Sequence, residues 1–141
     1  MTVASVMTEA PVCCTPKSSL VEVARMMVEH DCGQIPVVEN MATRKLSGVV
    51  TDRDITTRIV AAGFNSSEAH VSDCMSSPCH TVTAETSLKD CCDLMEANKI
   101  RRVPVVNAEN EVVGIVSLAD IARNASASAT AAVVKEVSTA A

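Results

Sequence analysis

Apolar positions along this chain change period in a set order, and they do so twice. Leu20, Val23, Ala24 and Met27 stand at i, i+3, i+4 and i+7, the spacing of a helix that buries one face. Leu88, Cys91, Cys92 and Met95 repeat that stripe. Ser19 with Glu22, and Ser87 with Asp90, head the two stripes as capping boxes, a hydroxyl followed three residues later by an acid. Two short runs rich in Val and Ile come next in each case, 35–38 then 46–50, and 103–106 then 112–116, and these predict strands covered by helices. A second helix is predicted over 51–62 and over 117–123. A short strand is predicted ahead of each first helix, over 12–15 and 80–83. The order reads β-α-β-β-α, twice.

Residues repeat as well as periods. TPKSSL at 15–20 matches TAETSL at 83–88, and QIPVV at 34–38 matches RVPVV at 102–106, in one register. Met7-Thr8 and Met75-Ser76 open the two copies in step. The divisions are a first repeat over 1–62, a linker over 63–72, a second repeat over 73–124, and an Ala/Ser-rich tail over 125–141 that reads as a frayed end or a weak helix. One repeat of this size cannot bury both its sheet and its helices, whereas two packed together can. Pro36 and Pro104 fall inside strand-like runs and predict edge strands or a kinked entry.

A chain of 141 residues with 48% hydrophobic positions can build a core, but one Phe and no Trp or Tyr make that core aliphatic. A net charge of −5 argues against nucleic acid as a partner, since phosphate binding wants a basic surface. No apolar run approaches the roughly 20 residues that cross a bilayer, and the N-terminal stretch lacks the pattern of a signal peptide. The expectation is a cytoplasmic protein with no membrane partner, whose seven cysteines are thiols and not a disulfide framework.

The stretch GVVTDRDI at 48–55 is echoed by GIVSLADI at 114–121. Thr51 with Asp54, and Ser117 with Asp120, read as two further capping boxes. Capping leaves the glycine unexplained. Gly admits close approach of another group, and a strand that feeds directly into a helix start can meet an anion there. In that case the hydroxyl contacts phosphate or sugar, and the Asp accepts from two vicinal ribose hydroxyls. Cap and ligand contact are compatible.

The doubled order, the IPV and VPV strands, and GVVTDRD with GIVSLAD together resemble a pair of cystathionine β-synthase (CBS) domains, the Bateman module, over about 6–123. The resemblance implies an α+β fold of two repeats packed sheet to sheet about a pseudo-twofold axis, with adenosine-type ligands in two inter-repeat clefts. It assigns ribose to Asp54 and Asp120, and ribose or phosphate to Thr51 and Ser117, beside Val49 and Ile115 of the same motifs. A basic residue before the h-P-V strand reaches phosphate in that family. Arg101 and Arg102 stand there in the second copy, while Gly33 and Gln34 stand there in the first. The implied grouping is Thr51 and Asp54 with Cys79, His80, Arg101 and Arg102 in a basic cleft. Ser117 and Asp120 go with Met7, Val12 and Gly33 in a cleft that holds adenosine without phosphates, or nothing. Arg53 supplies either charge or a surface contact. AMP, ADP and ATP fit this reading first, with NAD and S-adenosylmethionine also compatible. A homodimer through the helices, an unidentified protein effector, and regulation in place of catalysis are implied too.

The cysteines raise a metal or redox alternative. The repeat answers most of it: Cys91 and Cys92 align with Val23 and Ala24, Cys14 with Val82, Cys32 with Ile100, and Cys74 with Val6. A thiol standing where the other copy keeps an aliphatic group is core filler. The thiol or zinc reading would use Cys74, Cys79 and His80, though their spacing is poor for zinc. No nucleophile–base pair or phosphate loop points to an enzyme. A ligand-free interaction module is the third alternative.

Overall fold

The computed structural model describes residues 1–124, and the predicted tail lies outside them. In chain order the elements are β1 (Thr8–Glu9), α1 (Leu20–Glu29), β2 (Gln34–Val38), β3 (Leu46–Thr51), α2 (Asp52–Ile55), α3 (Leu88–Asn98), β4 (Arg102–Val106), β5 (Val112–Ser117) and α4 (Leu118–Ala122). Short 3₁₀ turns at Val3–Ser5 and Val71–Asp73 precede each copy, and α2 runs on as a π-helical turn over Thr56–Val60. The class is α+β. The described residues form two compact units: Val12–Cys79, and Met1–Pro11 joined by the described chain after Cys79.

In the Val12–Cys79 unit, α1 begins where Ser19 Oγ accepts from Glu22 N at 3.1 Å. It buries Leu20 and Val23, each worth about 1.5–3 kcal/mol out of water. Ala24, read into the same stripe, lies on the exposed flank. The helix covers an antiparallel hairpin, β2 on β3, registered from Gln34↔Thr51 to Val37↔Gly48 with a shift between Val37 and Val38. The other unit repeats this plan. Ser87 caps α3, which buries Leu88, Cys91, Cys92 and Met95, and β4 pairs with β5 from Arg102↔Ser117 to Val105↔Gly114 with a shift between Val105 and Val106.

Both strand prolines sit at outer edges. Pro36 O accepts from Cys14 N at 3.0 Å, and Pro104 O from Val82 N at 3.1 Å. In a strand a residue's nitrogen faces the same side as its carbonyl, so the donorless proline nitrogen points away from the hairpin partner. The strands predicted over 12–15 and 80–83 reduce to single parallel bridges, Cys14 with Val37 and Val82 with Val105. The reason is local: Thr15 N and Thr83 N already turn toward Ser18 Oγ and Thr86 Oγ1, both at 3.0 Å, and start the approach to the helix.

Repeat and compact unit are out of step by one segment. Residues 1–9 pack on the second repeat: Val3 N donates to Thr86 O, Leu88 N to Met1 O, and β1 pairs with β5. The equivalent stretch from Ala69 to Ser76 packs on the first repeat. There Val71 N donates to Ser18 O, Leu20 N to Ala69 O, and Ser76 bridges Val49. Val3 and Val71 are both fully buried.

This exchange explains the motif glycines. A Cβ on Gly48 would strike the Ser76 carbonyl oxygen and lie 2.8 Å from Met75 Cε. On Gly114 it would lie 2.7 Å from Met7 Sδ and 3.0 Å from Thr8 O. Only glycine lets the incoming segment reach the hairpin.

Candidate functional site

The two motif stretches end β3 and β5 and open α2 and α4. Each junction is a complete capping box. Thr51 Oγ1 accepts from Asp54 N at 3.0 Å while Asp54 Oδ2 accepts from Thr51 N at 3.1 Å. Ser117 Oγ accepts from Asp120 N at 3.1 Å while Asp120 Oδ2 accepts from Ser117 N at 2.9 Å. A hydroxyl that accepts at a cap keeps its proton to donate, and a carboxylate with one oxygen committed keeps lone pairs on the other. Capping therefore leaves a donor and an acceptor side by side.

Those acceptors are held in place by partners that pattern reading missed. Asp54, 9% exposed, receives Ser76 Oγ at 3.3 and 3.4 Å, and Arg58 Nε lies 3.7 Å from its Oδ1. Arg58 Nη1 in turn donates to the carbonyls of Cys74 and Met75. Asp120 Oδ1 pairs with Arg123 Nη2. The signals were present as Arg at i+4 and i+3 from each Asp, and as Ser76 in the Met-Ser opening of the second copy. A sugar diol taken up by either carboxylate has to compete with these groups.

Hairpin register decides which residues flank each junction. Arg102 lies opposite Ser117, and Leu118 N donates to Arg101 O at 2.8 Å. Arg101 is exposed and Arg102 half-buried, and both belong to the chain that enters β4 opposite the Ser117 end of β5. At the other hairpin Gln34 lies opposite Thr51, and Asp52 N donates to Gly33 O at 3.0 Å. The structure thus gathers Met7, Arg101, Arg102, Ile115, Ser117 and Asp120 in one unit, with exposed His80 opening its second stretch. Val12, Gly33, Val49, Thr51, Asp54 and Cys79 belong to the other. By register the basic pair flanks Ser117 in its own hairpin, whereas the resemblance grouped it with Thr51.

The thiols near these junctions are held protonated. Burial raises the Cys74 thiol, Asp54 adds to the shift, and Arg58 opposes it. Burial likewise raises Cys79, and pushes Cys14 to about 12 and Cys91 to about 11. A thiol in that state is a poor nucleophile at neutral pH. Among the described residues no group of three or more His, Cys, Asp or Glu side chains is placed to hold a metal ion. Among the same residues no helix is long and apolar enough to cross a membrane.

Comparison with known proteins gives a consistent picture. The model of the CBS domain matches residues 3–61 and again 71–127. The CBS domain-containing protein YhcV of Bacillus subtilis is 40% identical over 110 residues, covering 78% of this chain and 75% of its own. Hypoxic response protein 1 of Mycobacterium tuberculosis is 34% identical over 123 residues, covering 87% and 84%. A crystal structure of Hypoxic Response Protein I with two coordinated zinc ions superposes with a TM-score of 0.80 over 89% of this chain and all of the other, at 32% identity. CBSX2, solved in complex with AMP, superposes with a TM-score of 0.73 at 26% identity over 86% of this chain and 93% of its own.

Proposed function

The chain belongs to the CBS-domain family, and from that premise we propose that it is a non-catalytic regulatory sensor that binds adenine nucleotides at its strand–helix junctions. The observation that carries this is the Ser117 junction. A buried hydroxyl with a proton to donate and a carboxylate with a displaceable partner stand at the hairpin end that carries Arg101 and Arg102. A guanidinium fork suits phosphate oxygens, and the carboxylate suits a ribose diol. The relative CBSX2 was solved with AMP, which supports AMP, ADP or ATP as the ligand class. A thiol or zinc sensor is the alternative reading, and the two zinc ions coordinated in the hypoxic response protein structure are what favours it.

Signalling in this reading runs through the partners of the carboxylates. A nucleotide shifts an equilibrium by its differential affinity for two states, and here one state has Arg123 on Asp120 and the other has ribose there. A homodimer belongs to the same proposal. Val21, Ala24 and Val28 of α1, with Val60, form an apolar stripe whose counterparts on α3 include Lys89 and Glu96. Arg25 and Glu29 border that stripe. A two-fold interface needs a self-complementary patch, and one face bearing both charges meets that condition.

The test is a dye-reported thermal melt of reduced protein with AMP, ADP, ATP, NAD and S-adenosylmethionine, with GTP as control. A ligand at about 100 times its dissociation constant adds about 2.7 kcal/mol, on the order of 5–10 °C here. A selective shift lost in Asp120→Ala supports the proposal. No shift with any compound defeats it and favours the interaction-module reading.

A further inference from the structure

The two capping boxes are alike, but only one carboxylate reaches beyond its own helix. At the Ser117 junction the partners of Asp120 are local: Ser117 before it and Arg123 after it, while Asn124 Nδ2 donates to the Asp120 backbone carbonyl at 3.1 Å. At the Thr51 junction Asp54 also receives Ser76 Oγ, 22 residues along the chain, at 3.3 and 3.4 Å. Arg58 Nε stands 3.7 Å from the same carboxylate, while its Nη1 donates to the Cys74 and Met75 carbonyls at 3.3 and 3.2 Å. The repeat aligns Arg58 with Asn124 and Ser76 with Thr8. Among the described residues no side-chain bond joins Thr8 to Asp120.

These long-range contacts are slack. A hydroxyl donating to oxygen prefers about 2.7–2.8 Å, and an ion pair at 3.7 Å contains no hydrogen bond. Asp54 Oδ2 is committed to Thr51 N at 3.1 Å, so Oδ1 is where a ligand hydroxyl gains most. At an ordinary distance it displaces Ser76 Oγ and Arg58 Nε together. Arg58 also sits in the π-helical turn over Thr56–Val60, a rare geometry that recurs at functional sites, whereas α4 is a plain α-helix. Two backbone bonds between Ser76 and Val49, at 2.8 and 3.0 Å, hold the segment as well. Losing the side-chain ties therefore loosens it without detaching it.

We infer that Arg58 and Ser76 are positioning residues that couple the Thr51 junction to the segment ending at Ser76. A ligand hydroxyl on Asp54 Oδ1 replaces both, and the stretch from Cys74 to Ser76 then opens more often from its own hairpin. The Ser117 junction has neither residue and binds without that consequence. Occupancy of one junction is thus passed to a neighbouring segment, and occupancy of the other stays local. The inference rests on the nucleotide reading above and adds an output to one of its sites.

Cys74 serves as the reporter, because its thiol is 2% exposed and burial holds it protonated, whereas alkylation needs a thiolate that solvent can reach. The full reduced chain is treated with iodoacetamide, with and without saturating AMP or ATP. Fragment-resolved mass spectrometry follows each cysteine, and equilibrium dialysis gives binding. Fully buried Cys91, in the other unit, is the internal control. Nucleotide raises the rate at Cys74 about three- to tenfold without raising that at Cys91. Arg58→Gln labels Cys74 at the raised rate without ligand, and nucleotide then adds less than about twofold. Ser76→Ala binds nucleotide about two- to fivefold tighter, since a competitor for Asp54 has gone, whereas Ser76→Thr keeps the hydroxyl and matches the unaltered protein. Nucleotide that binds without moving Cys74, a full rise retained in Arg58→Gln, or weaker binding in Ser76→Ala overturns the coupling and leaves the nucleotide reading intact. Failure of AMP and ATP to bind the unaltered protein overturns the nucleotide reading, and the coupling with it.

Discussion

Hairpins β2–β3 and β4–β5 are copies at the level of the backbone and strangers at their ends. They share register, the position of the irregularity, the edge proline, the boxed hydroxyl and the glycine under an incoming segment. They differ in what stands before the proline strand, Gly33-Gln34 in one and Arg101-Arg102 in the other, and in the outward face of the helix above. Features that a strand or a helix needs in order to form recur in both. Features that face outward have diverged. The difference separates folding chemistry from recognition chemistry within one molecule, without recourse to any second protein.

The glycines offer the hardest way to break that equivalence. Gly48→Ala meets a backbone carbonyl and should cost about 3 kcal/mol, whereas Gly114→Ala meets the flexible Met7 thioether first and should cost about 1 kcal/mol. Urea unfolding of the two variants compares them directly, and equal losses would mean that the two approaches are not as different as their nearest atoms. Next come the exchanged valines. Val3→Ala and Val71→Ala should each lose about 2 kcal/mol, because both side chains are fully buried in a unit assembled from separate repeats. A loss confined to one of them would show that only one segment is integral to its unit.

Smaller effects are expected at the caps. Thr51→Ala and Ser117→Ala each remove one half of a capping box and should cost about 1 kcal/mol in the same unfolding assay. The ligand-free chain should treat them alike, and only added nucleotide should tell them apart. The mildest test is alkaline. Cys14 and Cys91 hold their protons to about pH 12 and about pH 11 in the fold, against an ordinary value of 9.0. The unfolded chain releases them first, so their contribution is full below pH 9 and is lost as pH rises through the folded values. The melting temperature should fall from pH 9 upward, and Cys14→Val and Cys91→Val should each flatten the slope. An unaltered slope in both variants would remove the thiols as its cause.

Much of this was legible in the residues. The 3.6 period located α1 and α3, because each buries one face, and the Val- and Ile-rich runs located both hairpins, because their strands are buried almost throughout. The Ser/Thr-x-x-Asp spacing located the two junction boxes, because a capping box is a local contact. At α1 and α3 Ser19 and Ser87 cap through the hydroxyl accepting the backbone N–H of Glu22 and Asp90. The exchange of opening segments left no local period, since Thr8 meets Ile115 and Ser76 meets Val49. Its trace was indirect: paired glycines, and a Met-Thr that answers a Met-Ser. Side-chain partners such as Ser76 on Asp54 depend on that exchange, so they stayed out of reach until the pairing was known.

The exchange also sets an order of assembly. Val12–Cys79 is one uninterrupted stretch, and its contacts close as soon as that stretch has left the ribosome. The other unit keeps β1 waiting until Ile115 has been made, roughly a hundred residues later, and closing so long a loop costs entropy before any contact repays it. Folding should therefore be sequential, the inner unit first. Until the outer unit closes, the residues that end on β1 stay open to proteases and to the chain's own neighbours. A slow kinetic phase reported only by Met7 or Thr8 would be the mark of that last step.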